Sequence, residues 1–230
     1  MKTLIEKRFM KGMALLSLRG FSAITLCAAM VLMCASFTSA WAGDIVEEWA
    51  TVDPPKVPEV KAVRVDPKTT ALLICDIQDY NCSEKRRPRC VESLPKMQSL
   101  LKKARAKGMT VAYTLIPRDE FNAKSIRKEV APLEGELVVK GEVDKFMGNN
   151  LEKVLKDKGI KTLIVMGTSA NGAVLHTVVG ASLRGFKVVV PVDGMPDTTL
   201  YSEQYTAWHA INSPGSRGNT TLTRMEMIEF

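Results

Sequence analysis

The chain has 230 residues, of which 46% are hydrophobic, so it can bury one sizeable core and is most simply a single domain. Its formal net charge is +7. Five basic residues and one acidic residue precede residue 43, so the charge without this leader is +3. A charge this small gives no support to a nucleic-acid partner.

Residues 1–42 are typical of a secretory signal peptide. A basic segment is followed by the uncharged apolar block 21–37, and the small residues Ala40 and Ala42 flank Trp41. This pattern predicts cleavage after Ala42 and export to the periplasm or the medium, with no stable membrane contact after cleavage. The alternative is an uncleaved membrane anchor, because the apolar block approaches the length of a membrane span.

The exported chain is predicted to consist of an extended arm, residues 43–68, and a folded domain, residues 69–230. The arm contains four prolines and no sustained hydrophobic period. In the domain, short apolar runs alternate with helical patterns. The predicted strands are 69–77, 109–116, 135–140, 161–167, 186–194 and 219–223, and the predicted helices are 91–108, 149–159, 172–185 and 201–211.

These strands are continuously apolar rather than alternating, which indicates that both faces of the sheet are covered. The fold class is therefore α/β, with three α/β/α layers around a parallel sheet. Such sheets bind ligands beyond the carboxyl ends of their strands. Three cysteines follow the leader, and Cys82 and Cys90 could close a small loop in an oxidising compartment, leaving Cys75 as a buried thiol.

The carboxyl ends of the predicted strands select the candidate site residues. Asp76 ends the first strand and Lys140 ends the third, and a buried carboxylate needs a partner of this kind. The pair would serve catalysis or only structure. The turn 167–173 ends the fourth strand, and the amides of Asn171, Gly172 and Ala173 at the following helix start would form an anion or oxyanion site. The plainer interpretation is tight packing of the helix on the sheet, because small residues recur on neighbouring turns at Ala173, Thr177 and Gly180 or Ala181, and both interpretations can hold together.

Other chemistries are poorly supported. The only histidines, His176 and His209, lack metal-ligand spacing, so no metal is predicted. No serine elbow is present, the turn lacks the Lys-Ser/Thr of a phosphate loop, and no cofactor is predicted. The basic run 85–89 is predicted to be a solvated surface segment, or else to attract anionic substrates to the mouth of the site.

Three motifs in chain order carry a family resemblance over residues 69–200. They are "DIQ" with Asp76 and Gln78, "KGEVDKF" with Lys140 and Phe146, and "GTSANGAVLHT" with Gly167, Val174 and Thr177. In this order and spacing they resemble the isochorismatase-like hydrolase superfamily, which includes cysteine amidases such as nicotinamidase. The resemblance implies a six-stranded parallel sheet of order 3-2-1-4-5-6. By analogy with the family, we also expect a homo-oligomer.

One residue departs from the amidases of this superfamily, because their nucleophilic cysteine falls on Ala173. The acyl-enzyme route therefore lacks its thiol. Isochorismatases proper resemble this chain in having a small residue here, and they protonate a vinyl ether and add water. The resemblance implies Asp76 as general acid or base and Lys140 as its substrate-binding partner. Gln78, Ser169, Asn171 and Gly172 would line the pocket of a small polar substrate.

The sequence therefore predicts an exported hydrolase of this superfamily that acts without a cysteine nucleophile. A binding protein that has kept the pocket and lost turnover is the alternative from a different class. A hydrolase of carbon–nitrogen bonds that uses another nucleophile is a third. Burial would raise the pKa of Asp76 and a lysine partner would lower it, and the sequence does not tell which effect is larger.

Overall fold

The structure is a computed structural model that describes residues 43–230, so the predicted signal peptide lies outside the described residues. The described chain divides at Pro54 into two compact units. The short first unit contains one turn of 3-10 helix, Trp49–Thr51. The second unit, Pro55–Phe230, carries the sheet and its helices.

The main sheet has six parallel strands. They are β2 (Thr70–Cys75), β3 (Thr110–Leu115), β4 (Leu137–Lys140), β5 (Thr162–Gly167), β6 (Lys187–Pro191) and β7 (Thr220–Thr223). Their order is β4-β3-β2-β5-β6-β7, which is 3-2-1-4-5-6 when only these strands are counted. The predicted topology is confirmed.

Within residues 43–230, four α-helices cover the sheet. They are α1 (Pro88–Ala106), α2 (Leu151–Asp157), α3 (Leu175–Leu183) and α4 (Leu200–Asn212). The apolar stripe of α1 packs with alternate residues of β2, such as Leu72 and Ile74, in one core cluster. The other three helices pack on the opposite face with Leu73 and Cys75. All six residues of β2 are buried because helices cover both faces, as the continuous apolar pattern predicted.

Part of the predicted arm is hydrogen-bonded to the C-terminal segment. A short strand, β1 (Val63–Arg64), pairs with β8 (Ile228–Glu229). The hydroxyl of Thr223 donates to the carbonyl of Lys61 at 2.7 Å. The packed unit therefore extends toward the N-terminus past residue 69.

The loop between β2 and α1 is closed by a disulfide between Cys82 and Cys90. Of the cysteines in residues 43–230, Cys75 alone is a free thiol, and it is buried. Within the same residues, no helix is long and apolar enough to cross a membrane.

Candidate active site

A cleft of about 450 Å³ opens at the carboxyl ends of the central strands. This is the edge at which parallel α/β sheets place their ligands. The loops after β2, β3, β4 and β5 form its wall. The charged side chains that line it are Asp76, Arg87, Arg118, Glu142 and Lys145.

Asp76 lies at the end of β2 with its backbone in the left-handed region, at φ 53°. Aspartate tolerates this conformation better than most residues. The positive φ breaks the alternation of the strand, so the carboxylate does not follow Leu72 and Ile74 onto the α1 face. Instead its Oδ1 accepts a hydrogen bond from the Thr114 hydroxyl at 3.1 Å. The side chain of Cys75 also interacts with Thr114.

The charge partner of Asp76 is Lys145. Its Nζ lies 2.7 Å from Asp76 Oδ2, and the two side chains are only 2% and 5% exposed. Lys145 Nζ also donates to the carbonyl of Gly141 at 3.0 Å. The backbone amide of Lys145 donates to the Thr177 hydroxyl at 3.3 Å, which ties this turn to α3. The pair is therefore fixed from two sides of the cleft.

Burial raises the pKa of Asp76 above its ordinary value, because removal from water penalises the carboxylate. Lys145 opposes this effect through its charge and its hydrogen bond, and the Thr114 hydroxyl opposes it as well. The net shift of the Asp76 pKa is upward, so burial outweighs the lysine, a balance that the sequence had left open. A raised pKa keeps more of the acid form, which suits a proton donor.

Lys140, the predicted partner of Asp76, does not reach it. Its Nζ donates to the backbone carbonyl of Arg118 at 2.6 Å. The reason is the two-residue period of β4: Leu137 and Val139 pack on the face of the sheet that carries α2, α3 and α4, whereas Val138 packs on the α1 face. Lys140 is two residues after Val138, so its side chain leaves the sheet on the same face as Val138, which is the wrong side for the Asp76 carboxylate.

The family spacing pointed to the first lysine of "KGEVDKF", and the sequence analysis missed the second one, Lys145. A signal was present, because Lys145 immediately precedes the apolar Phe146 within the same motif. The basic run 85–89 was expected either to be solvated or to attract anionic substrates to the mouth of the site, and Arg87 was not singled out within it. Arg86 is indeed exposed, but Arg87 lines the cleft and its side chain is only 13% exposed.

The turn after β5 brings its backbone close to β2. Gly167 has φ 138°, and a Cβ there would lie 2.0 Å from the carbonyl oxygen of Cys75. Only glycine fits this approach. The peptide between Thr168 and Ser169 is cis. A π-helical turn, Ala170–Val174, then leads into α3.

Two of the three amides predicted to form an oxyanion site are already used within the protein. The amide of Asn171 donates to Asp197 Oδ2 at 3.1 Å, and the amide of Gly172 donates to the Ser169 carbonyl at 3.2 Å. The Asn171 side chain donates to the Ser202 hydroxyl at 3.2 Å. Asn171 is therefore corrected from a pocket residue to a support for the loop at Asp197.

Gln78 is also a support residue and does not line the cleft. It is fully buried, and its Oε1 accepts a hydrogen bond from the Ile116 amide at 3.1 Å. Ile116 itself lines the cleft, so Gln78 fixes the wall after β3. Ser169 and Gly172 do line the cleft. A Cβ at residue 172 would lie 2.6 Å from the Ser169 hydroxyl, so glycine makes room for this serine.

Ala173, 6% exposed, lines with its methyl group the same cleft as the buried pair. Cys75 cannot replace the missing thiol, because it is fully buried and its pKa is raised to about 12, chiefly by burial. A thiol of this pKa stays protonated at neutral pH. Among residues 43–230, no cluster of metal-ligating side chains is present.

Comparisons with known proteins agree with this fold. Residues 70–225 match the isochorismatase domain. An N-carbamoylsarcosine amidase from Arthrobacter is 30% identical over an alignment of 154 positions, and the match covers 55% of this chain and 58% of the amidase. The chain thus spans less than two thirds of that relative's length.

A second relative is the secreted isochorismatase effector Isc1 of Verticillium dahliae. It is 30% identical over an alignment of 141 positions, and the match covers 57% of this chain and 74% of the effector. Among solved structures, a cysteine hydrolase from Pseudomonas syringae superposes with a TM-score of 0.63 at 19% identity, covering 75% of this chain and 95% of the other. At this identity the likeness concerns the fold alone.

Proposed function

Because the chain belongs to the isochorismatase domain family, we propose that it is a hydrolase that acts without a covalent intermediate on a small polar molecule. The observation that carries the proposal is that the buried Asp76–Lys145 pair lines the same cleft as the methyl group of Ala173. The cleft of about 450 Å³ suits a small substrate. A thiol nucleophile is replaced by water.

In the proposed mechanism Asp76 is the general acid. Asp76 donates its proton to the substrate, for example to the terminal carbon of a vinyl ether, whose C=C electrons form the new C–H bond and leave positive charge on the other alkene carbon and the ether oxygen. Water then bonds to that carbon and gives a proton to the Asp76 carboxylate, which restores the acid. The resulting hemiketal breaks its C–O bond to the leaving group, which departs as an alcohol while the remaining hydroxyl becomes a carbonyl. Lys145 stabilises the carboxylate that exists between proton donation and water addition, because its ammonium group lies 2.7 Å away.

The first test is the response of turnover to a thiol reagent. A screen of vinyl ethers, amides and carbamates identifies the substrate, and iodoacetamide is then applied to the active protein. We expect turnover to persist, because the reaction needs no thiol. Loss of turnover on alkylation would contradict the mechanism, and binding of substrates without any turnover would support the alternative of a binding protein.

The matched variant is Ala173→Cys. It adds a thiol to a cleft that also holds Lys145, and a nearby ammonium group lowers a thiol pKa. We expect amide hydrolysis to rise at least about 10-fold, a small part of the roughly 10⁶-fold that a nucleophile contributes in a cooperating triad. This added activity, unlike that of the parent, should be abolished by iodoacetamide. An unreactive thiol in the variant would count against the assignment of Ala173 to the nucleophile position.

We also propose that the protein is exported. The leader pattern of residues 1–42 and the Cys82–Cys90 disulfide both fit an oxidising compartment, and one relative is named as a secreted effector. N-terminal sequencing of protein recovered from the periplasm or the medium should begin at Gly43. Recovery of an intact leader in the membrane fraction would favour the anchor instead.

A further inference from the structure

Arg87 holds an unusual position for an arginine. It lies on the disulfide-closed loop, directly before α1, and lines the same cleft as Asp76 and Lys145. Its side chain is 13% exposed, so its charge has been largely removed from water. A buried guanidinium needs partners for its five N–H donors.

The protein supplies only weak partners. Nη1 lies 3.4 Å from both the carbonyl and the side-chain oxygen of Asn81. Nε is buried without a hydrogen-bond partner among the described residues, and its nearest carboxylate oxygen, on Asp197, is 3.9 Å away. Asp197 is itself committed, since it accepts hydrogen bonds from the amides of Asn171 and Thr198.

The neighbouring arginines differ in just this respect. Arg89 makes a bidentate pair with Glu203 at 2.7 and 2.5 Å. Arg86 is exposed and lies over the Tyr80 ring at 4.4 Å from its centroid. Within the basic run, Arg87 therefore faces the cleft with N–H donors that lack a good partner in the protein.

The charges of the cleft favour an anion beside Arg87. Asp76 and Lys145, 2.7 Å apart, together carry no net charge when Asp76 is ionised and one positive charge when Asp76 holds its proton. The remaining charged lining groups are Arg87, Arg118 and the exposed Glu142. Arg118 has a loose and exposed partner in Glu120, at 3.8 Å. Net positive charge remains, and a planar guanidinium matches a carboxylate in geometry.

We infer that Arg87 is the anion-binding residue of the cleft and that the substrate is a small carboxylate. The inference builds on the proposed function and specifies its substrate class. The carboxylate end of the substrate binds Arg87, and this contact orients the reactive end toward Asp76. The disulfide holds the loop in place before the substrate arrives, so less conformational freedom is lost on binding.

The test measures binding by calorimetry, independently of turnover. The full oxidised protein is titrated with N-carbamoylglycine and with its neutral twin, N-carbamoylglycinamide. We expect the carboxylate to bind at least about 10-fold more tightly than the amide, as a charge-assisted contact implies. Equal affinity for the two probes would overturn the inference.

The variant Arg87→Gln should lose about 10- to 100-fold in affinity for the carboxylate and little for the amide. Arg86→Gln is the matched control, because it removes the same charge from the adjacent exposed residue and should leave both affinities within about twofold. Arg87→Lys keeps the positive charge and serves as the second variant if Arg87→Gln does not fold. Equal losses in Arg86→Gln and Arg87→Gln would reduce the effect to general electrostatics and refute a specific site.

The two proposals fail separately. If the carboxylate binds through Arg87 but no substrate is turned over, the proposed hydrolysis is wrong and the anion site stands. If turnover is found and Arg87→Gln leaves both KM and carboxylate affinity unchanged, the hydrolysis stands and the anion site is wrong.

Discussion

Lys145→Met is expected to lower the free energy of unfolding by about 3–5 kcal/mol, because it leaves the Asp76 carboxylate buried without its charge partner. Urea or thermal unfolding at neutral pH measures this loss. The loss should shrink in acid, since a protonated Asp76 no longer needs the ammonium group. Turnover should fall with stability, because the carboxylate formed during the reaction loses its stabilising neighbour.

The control is Lys140→Met, which removes the lysine that the family spacing had selected. Lys140 donates to a backbone carbonyl at the protein surface, so we expect a change below about 1 kcal/mol. The double variant Asp76→Asn with Lys145→Met removes both charges and should lie near the parent in stability, since replacing a whole buried pair is often neutral. If Lys140→Met proved the damaging variant, the pairing would be the one that the motif predicted.

Asp76→Asn is expected to reduce turnover by about 10²- to 10⁴-fold, the usual contribution of a general acid. An amide of nearly the same shape cannot donate the carboxylic proton. Steady-state kinetics on the substrate found in the screen measures the effect, and carboxylate binding at Arg87 should survive it. Unchanged turnover in this variant would remove Asp76 from the mechanism.

The pH profile of the parent supplies a second measurement of the same role. The acid form of Asp76 is required, so turnover should decline as the pH rises through the raised pKa of Asp76. The contribution of Asp76 to the free energy of unfolding also decreases as the pH rises. Because the pKa in the folded state lies above that in the unfolded chain, Asp76 contributes stability below the ordinary value of 3.8, and this contribution is lost as the pH rises through the folded-state pKa. Asp76→Asn should lack both dependences.

The sequence was sufficient for the sheet because its signals are local. Each strand is a short apolar run bounded by turn residues, and a run that is apolar at every position identifies a strand buried on both faces. Gly167 was already visible in the sequence as part of the motif. The structure gives the reason for a glycine there, because the close approach of its turn to β2 tolerates no side chain. The absence of a nucleophile at Ala173 could also be read directly, because the motif around it keeps its register.

The pairing of charges was decided by the tertiary structure. Whether Lys140 or Lys145 meets Asp76 depends on the face to which β4 directs its last side chain and on the turn that follows. The left-handed backbone of Asp76 moves its carboxylate to the other face of the sheet, and no sequence pattern predicts this conformation. Arg87 differs from its basic neighbours only in what surrounds it. The sequence by itself thus determined the fold, the edge of the sheet that carries the site and the lack of a thiol, because strand periodicity and motif register are properties of the chain. The partners of Asp76 and Arg87 were decided only by the folded structure, because burial and distance depend on residues far apart in sequence.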